Sequence, residues 1–171
     1  MERNTSEQVR TIVMTALLAA MACVATMIIK IPSPTDGYMN LGDTIVLLGA
    51  YLLGPVYGAV AGGVGSALAD LLSGYPVYVP GTLVIKAVMA AVAGLLYRWN
   101  KRAIVLCGVA AEAIMVMGYC LYDGFLYKSL AVGATGIPSN LVQAAFGLVL
   151  STLLTMALRQ NRQVQSRFPN L

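Results

Sequence analysis

Residues 11–29 read TIVMTALLAAMACVATMII, nineteen positions without a charge, long enough to cross most of a bilayer core as a helix. Arg3 and Arg10 precede this run in the manner of a signal peptide. The apolar stretch continues past the small-residue segment Ala20-Met21-Ala22-Cys23 to Ile29, so it is read as a retained first spanning helix. Further apolar runs follow at 41–53, 56–72, 81–97, 103–122 and 137–158. The breaks between them carry turn chemistry: Pro32-Ser33-Pro34-Thr35-Asp36-Gly37, Gly54-Pro55, Gly74-Tyr75-Pro76 and Asp123-Gly124. The expected fold is therefore an all-α integral membrane bundle of six transmembrane helices in one domain over 1–171. The second span is short, which fits a tilted or partly re-entrant helix.

Composition supports this class. Of 171 residues 58% are hydrophobic and 11% charged, too few charges to cover a water-facing surface. Lys and Arg cluster with one set of span ends: Arg3, Arg10, Arg98, Lys101, Arg102, Arg159, Arg162 and Arg167 fall on one side, Lys30 and Lys128 on the other. The positive-inside rule places both termini in the cytoplasm, and the net charge of +4 is this inner rim rather than a nucleic-acid patch. There is no histidine, and Cys23, Cys107 and Cys120 stand singly in apolar runs. No metal site, disulfide framework, cofactor or enzyme active site is indicated.

Polar residues inside spans are costly and point to function. With the termini inside, Asn40 and Asp43 lie near the outer end of the second helix, Asp70 near that of the third, and Lys86 near that of the fourth. Glu112 sits near mid-depth in the fifth, and Asn140 and Gln143 near the outer end of the sixth. Glu112, Met115, Tyr119 and Tyr122 share one helix face. Together with Tyr38 these residues describe an outward-opening cavity for a small, flat, hydrogen-bonding ligand. An acid-rich, Tyr-lined site suits an aminopyrimidine or pyridine ring, and Glu112→Gln is expected to weaken binding by roughly 1–3 kcal/mol if Glu112 is an ionised partner. Plainer uses compete. Asn40 and Asp43 have capping-box spacing, Asp70 and Lys86 could neutralise each other, Ser139 and Asn140 follow Pro138 at a helix start, and Tyr38, Tyr75 and Tyr78 could form an interfacial belt.

Small residues form two further patterns. Gly54, Gly58, Gly62, Ser66 and Asp70 recur every fourth position, beside Ala59, Gly63 and Ala67, as expected for close helix packing in lipid. On the first helix Ala16, Ala20 and Val24 make one column and Ala19 and Cys23 another. A helix smooth on two faces suggests docking onto a second membrane protein; packing inside the bundle is the alternative.

The segments Gly37-Tyr38-Met39-Asn40-Leu41-Gly42-Asp43, Gly62 to Asp70 (GGVGSALAD) and Tyr75-Pro76-Val77-Tyr78-Val79-Pro80 through Lys86 resemble the substrate-binding S component of energy-coupling factor vitamin transporters, of the riboflavin or hydroxymethylpyrimidine/pyridoxine type. The resemblance implies capture of a vitamin or precursor outside a prokaryotic plasma membrane. It also implies release inward when the chain is docked on a transmembrane coupling (T) protein driven by two cytoplasmic ATPase subunits. The family's Ala-xxx-Ala docking motif falls on Ala16 and Ala20, and the loop covering its site falls around Ile31 to Asn40. The acid-rich interior favours hydroxymethylpyrimidine or pyridoxine over riboflavin. A self-sufficient permease or a structural subunit of an envelope complex are the competing readings. A permease would be expected to carry a repeated hydropathy pattern, which this sequence lacks.

Overall fold

The computed structural model describes residues 5–35, 37–168 and 170–171. Arg3 of the basic rim and Asp36 of the first turn lie outside the described residues. The chain forms α1 (Thr5–Ile28), a two-stranded antiparallel ribbon of β1 (Ile31–Pro32) and β2 (Tyr38–Met39), α2 (Gly42–Leu53), α3 (Pro55–Leu72), α4 (Val79–Trp99), a 3₁₀ turn (Lys101–Ala103), α5 (Ile104–Leu126), α6 (Leu130–Thr135), α7 (Ile137–Arg159) and α8 (Arg162–Arg167). Among the described residues five helices are long and apolar enough to cross a membrane; α2 is apolar but shorter.

Helix α3 is the hub, packed on α1, α2 and α4. Its glycines explain how it serves three neighbours. A Cβ on Gly58 would stand 2.6 Å from the backbone of Ala50 in α2, and one on Gly63 2.9 Å from the Leu83 carbonyl in α4. One on Gly65 would collide with the Ala19 carbonyl of α1. Each contact is backbone against backbone, the geometry that small residues every fourth position permit. The α2–α3 corner is made by Gly54 alone, at φ +81°, with Pro55 opening α3 at a position where its missing N–H costs nothing.

Two sequence expectations change here. Asp123-Gly124 does not break the fifth helix, which runs on to Leu126. Gly124 and Gly133 instead let α6 fold tightly back on α5, since a side chain on Gly133 would strike the Cys120 carbonyl and the Gly124 backbone. On α1, the Ala16, Ala20 and Val24 column is exposed, whereas Cys23 is buried and Ala19 seats its carbonyl on Gly65. Cys23 therefore packs inside the bundle, and Ala19 is half-buried against α3.

The core lies between α2, α4 and α5, around Val46, Leu47, Met89, Ala93, Ala111 and Met115. At the end opposite the ribbon, Tyr51 and Tyr97 stack with centroids 4.6 Å apart. Arg159 donates to the Tyr97 hydroxyl at 2.5 Å and to the Lys101 carbonyl at 2.8 Å, tying α7 to α4.

Candidate ligand-binding site

At the ribbon end the bundle holds a small, partly open cavity of about 30 Å³. Residues 33–40, α3, α4, α5 and α7 all contribute to its wall. Of the residues expected from sequence, Tyr38, Asn40, Asp70, Tyr119, Asn140 and Gln143 line it. Asp43, Lys86 and Glu112 do not; they form a buried polar layer next to it.

That layer is built around Gln143. Its Oε1 accepts the backbone N–H of Asn40 at 2.8 Å, and its Nε2 donates to Asp43 Oδ2 at 2.6 Å. Asp43 Oδ1 in turn receives the ammonium of Lys86, both groups being almost wholly buried. A buried ion pair is tolerable only when its remaining lone pairs are satisfied, and the Gln143 amide satisfies Asp43. These bonds fix which end of the amide faces each neighbour, and they hang the β2 end of the loop on α7. Glu112 lies against Gly147: a Cβ there would stand 2.6 Å from Glu112 Oε1 and 2.7 Å from Asp43 Cβ. Neither Glu112 oxygen has a hydrogen-bond partner among the described residues.

Three plainer sequence readings are thereby corrected. Lys86 pairs with Asp43 rather than Asp70. The Asn40–Asp43 capping box does not form, because Asp43 is taken by Lys86; Asn40 Oδ1 instead accepts from the Gly42 N–H at 2.8 Å. Ser139 and Asn140 do not cap α7, which begins at Ile137 after Gly136. Ser139 bonds back to the Gly136 carbonyl at 2.8 Å and meets Ser33 of the loop at 3.0 Å, while Asn140 faces the cavity.

The loop tyrosines do more than mark an interface. Tyr38 donates to Asp70 Oδ1 at 2.7 Å and packs on Tyr75 at 4.8 Å between centroids. Tyr78 is buried and donates to the Thr35 carbonyl, which also accepts from Tyr127 at 3.2 Å. Burial, and then the charge of Asp70 for Tyr38 and of Asp123 for Tyr78, push both phenols well above their usual range. Both remain hydrogen donors at any physiological pH. Thr82 and Tyr119 pair their hydroxyls at 3.0 Å across the wall.

Ser33, Thr35, Gly37, Tyr78, Thr82 and Asp123 complete the lining and were not expected from sequence as site residues. The missed signal was Asp123: a carboxylate one residue past an apolar run is read as a turn, yet α5 continues and buries it.

A bundle of membrane-length helices with a polar cavity beside a short loop offers a small solute a set of hydrogen-bonding groups. The family model for the ECF-type riboflavin transporter, S component, matches residues 6–160, and the chain belongs to that family. The chain is similar to an uncharacterised protein of Pyrococcus woesei, at 39% identity over 130 residues, covering 74% of this chain and 86% of that one. It is also similar to the thiamine precursor transporter HmpT of Lactococcus lactis subsp. cremoris, at 29% over 126 residues, covering 73% and 72%. In fold it resembles the S component of a bacterial ECF transporter (TM-score 0.73, 24% identity, covering 90% of this chain and 97% of that one). The S component for biotin from an ECF-type ABC transporter is a further structural relative (TM-score 0.59, 18% identity, covering 91% and 95%). The family is a substrate-binding transporter component, not an enzyme, and the chain is a multi-pass membrane protein.

Proposed function

We propose that this S component captures a vitamin or vitamin precursor at the outer face of a prokaryotic plasma membrane and releases it inward when docked on a transmembrane coupling protein served by two ATPase subunits. The observation that carries the reading is the cavity itself, where Tyr38, Asn40, Asp70, Tyr119, Asn140 and Gln143 converge from the loop and from α3, α5 and α7. Asp43 and Lys86 act beside it, holding Gln143 in place. The basic span ends favour the opposite end of the bundle as the cytoplasmic one.

Hydroxymethylpyrimidine or pyridoxine is favoured over riboflavin. The wall is rich in carboxylates and phenols, which match a ring N–H with an exocyclic amine, and the similarity to a thiamine precursor transporter points the same way. At about 30 Å³ the cavity has room for about one water, whereas sites for small organic ligands are several hundred Å³. In this reading the segment flanking the cavity between α1 and α2 yields to let ligand in. Only two residues of each strand pair, so little sheet is lost. The exposed Ala16–Ala20 column of α1 supplies a smooth face for the coupling protein.

The direct test is mass spectrometry of small molecules that co-purify with the protein, followed by calorimetric titration with the compounds found. Micromolar or tighter binding of a B-vitamin or precursor is the expected result; absence of binding across that panel would overturn the reading. Ala16→Leu/Ala20→Leu is expected to preserve binding and to abolish uptake in cells carrying the coupling module. Unimpaired uptake by the variant, or uptake by wild type in cells without any coupling ATPase, would exclude the docking role.

A further inference from the structure

Two carboxylates share the cavity wall, Asp70 from α3 and Asp123 from α5, and they are built alike. Each is buried, at 5% and 2% exposure. Asp70 Oδ1 accepts from Tyr38, and Asp123 Oδ2 and Thr35 Oγ1 both come within 3.4 Å of where a side chain on Gly136 would begin. Asp70 Oδ2 and Asp123 Oδ1 have no hydrogen-bond partner among the described residues.

No lysine or arginine among the described residues lines the cavity. Lys86 is committed to Asp43. Lys30 is on the outer side of the loop, with its ammonium 3.1 Å from Ser73 Oγ and 5.7 Å from the Tyr38 ring centroid. An ionised carboxylate out of water without a partner costs several kcal/mol, and an unmet acceptor costs more when it is charged. Two such acceptors on residues that wall one cavity are matched by a guest that brings the missing donors and the missing positive charge.

We infer that Asp70 and Asp123 form a two-ended carboxylate clamp, and that the ligand is a small organic cation carrying hydrogen-bond donors at two ends. This rests on the nutrient-binding reading above and adds Asp123 as a ligand contact.

The test is isothermal titration of the full-length protein with matched pairs that differ in one charge: 5-hydroxymethyl- against 5-aminomethyl-4-amino-2-methylpyrimidine, and pyridoxine against pyridoxamine, with riboflavin as a neutral outsider. The aminomethyl member of at least one pair is expected to bind wild type about tenfold more tightly, or better, than its hydroxymethyl partner. Asp123→Asn is expected to reduce that preference to less than about twofold, and Asp70→Asn to do so independently, the charged partner losing more affinity than the neutral one in each case. Unfolding midpoints of both variants confirm that they are folded. Equal affinity for both members of each pair in wild type would overturn the clamp, as would a variant that weakens both members equally, the signature of an aspartate that only pins the loop. Binding of riboflavin alone would overturn the clamp and leave the S-component reading standing. No binding of any vitamin or precursor would remove that reading first.

Discussion

Lys86 has a single charged partner among the described residues, Asp43, in a region with almost no exposure to solvent. Removing one member of such a pair leaves a charge buried alone, so Lys86→Met is expected to cost about 3–5 kcal/mol. Measured by thermal unfolding in detergent, the loss should be smaller in Asp43→Asn/Lys86→Met, where no charge is stranded; a double variant as unstable as the single would refute this account. Glu112 tests a different point. From sequence it is a ligand contact, but the cavity wall does not include it. Glu112→Gln is expected to leave ligand affinity within about twofold while moving the unfolding midpoint, and a tenfold loss of affinity would restore it to the site. Sequence locates buried charges well because their cost in lipid is a property of residue type and depth. Which acid pairs with which base is decided by helix rotation and side-chain reach. Asp70 was the nearer guess for Lys86, yet Asp70 points to Tyr38 and Asp43 takes the ammonium.

At the level of elements, the glycine ridges of α3 decide the packing. Gly65 is the most exacting of the three, because a side chain there would come within 2.3 Å of the Ala19 carbonyl, closer than the backbone contacts at Gly58 and Gly63. Gly65→Ala is expected to destabilise the protein by about 1–3 kcal/mol and to loosen α1 specifically, seen as faster hydrogen exchange in 12–26 than in α5. Uniform loosening of the whole bundle would argue against a local α1–α3 role. Small-xxx-small spacing was legible in the sequence, as was the separation of α2 from α3 at Gly54-Pro55. The end of α5 was not. Asp123-Gly124 carries turn residues, and only the tight return of α6 onto Gly124 shows why the helix tolerates them. The ribbon at 31–32 and 38–39 was equally invisible, since strands of two residues have no periodicity to read.

For the molecule as a whole, one segment beside the cavity is held at several points: Ser33 to Ser139, Thr35 to Tyr78 and Tyr127, Tyr38 to Asp70, Asn40 to Gln143. Ser33 and Ser139 bring their hydroxyl oxygens to 3.0 Å, which makes them the pair to replace with cysteines for a cross-link across this contact. Cys23, Cys107 and Cys120 are buried and free, so they offer little competition. Oxidised Ser33→Cys/Ser139→Cys is expected to bind ligand at least about a hundredfold more slowly than its reduced form, with full recovery on adding dithiothreitol. Equal association rates in the two states would show that ligand enters by another route.

Helix α2 has 12 residues and rises about 18 Å, well short of the hydrocarbon thickness. The segment before it, joined to the helices at Ile28 and Gly42, supplies Ser33, Thr35, Gly37, Tyr38 and Asn40 to the cavity wall, while the rest of the wall comes from Tyr78 and from α3, α4, α5 and α7. Exchanging that segment would change the loop side of the cavity and leave the helix packing as it is. Grafted chimeras at these two joints offer a way to retarget the fold.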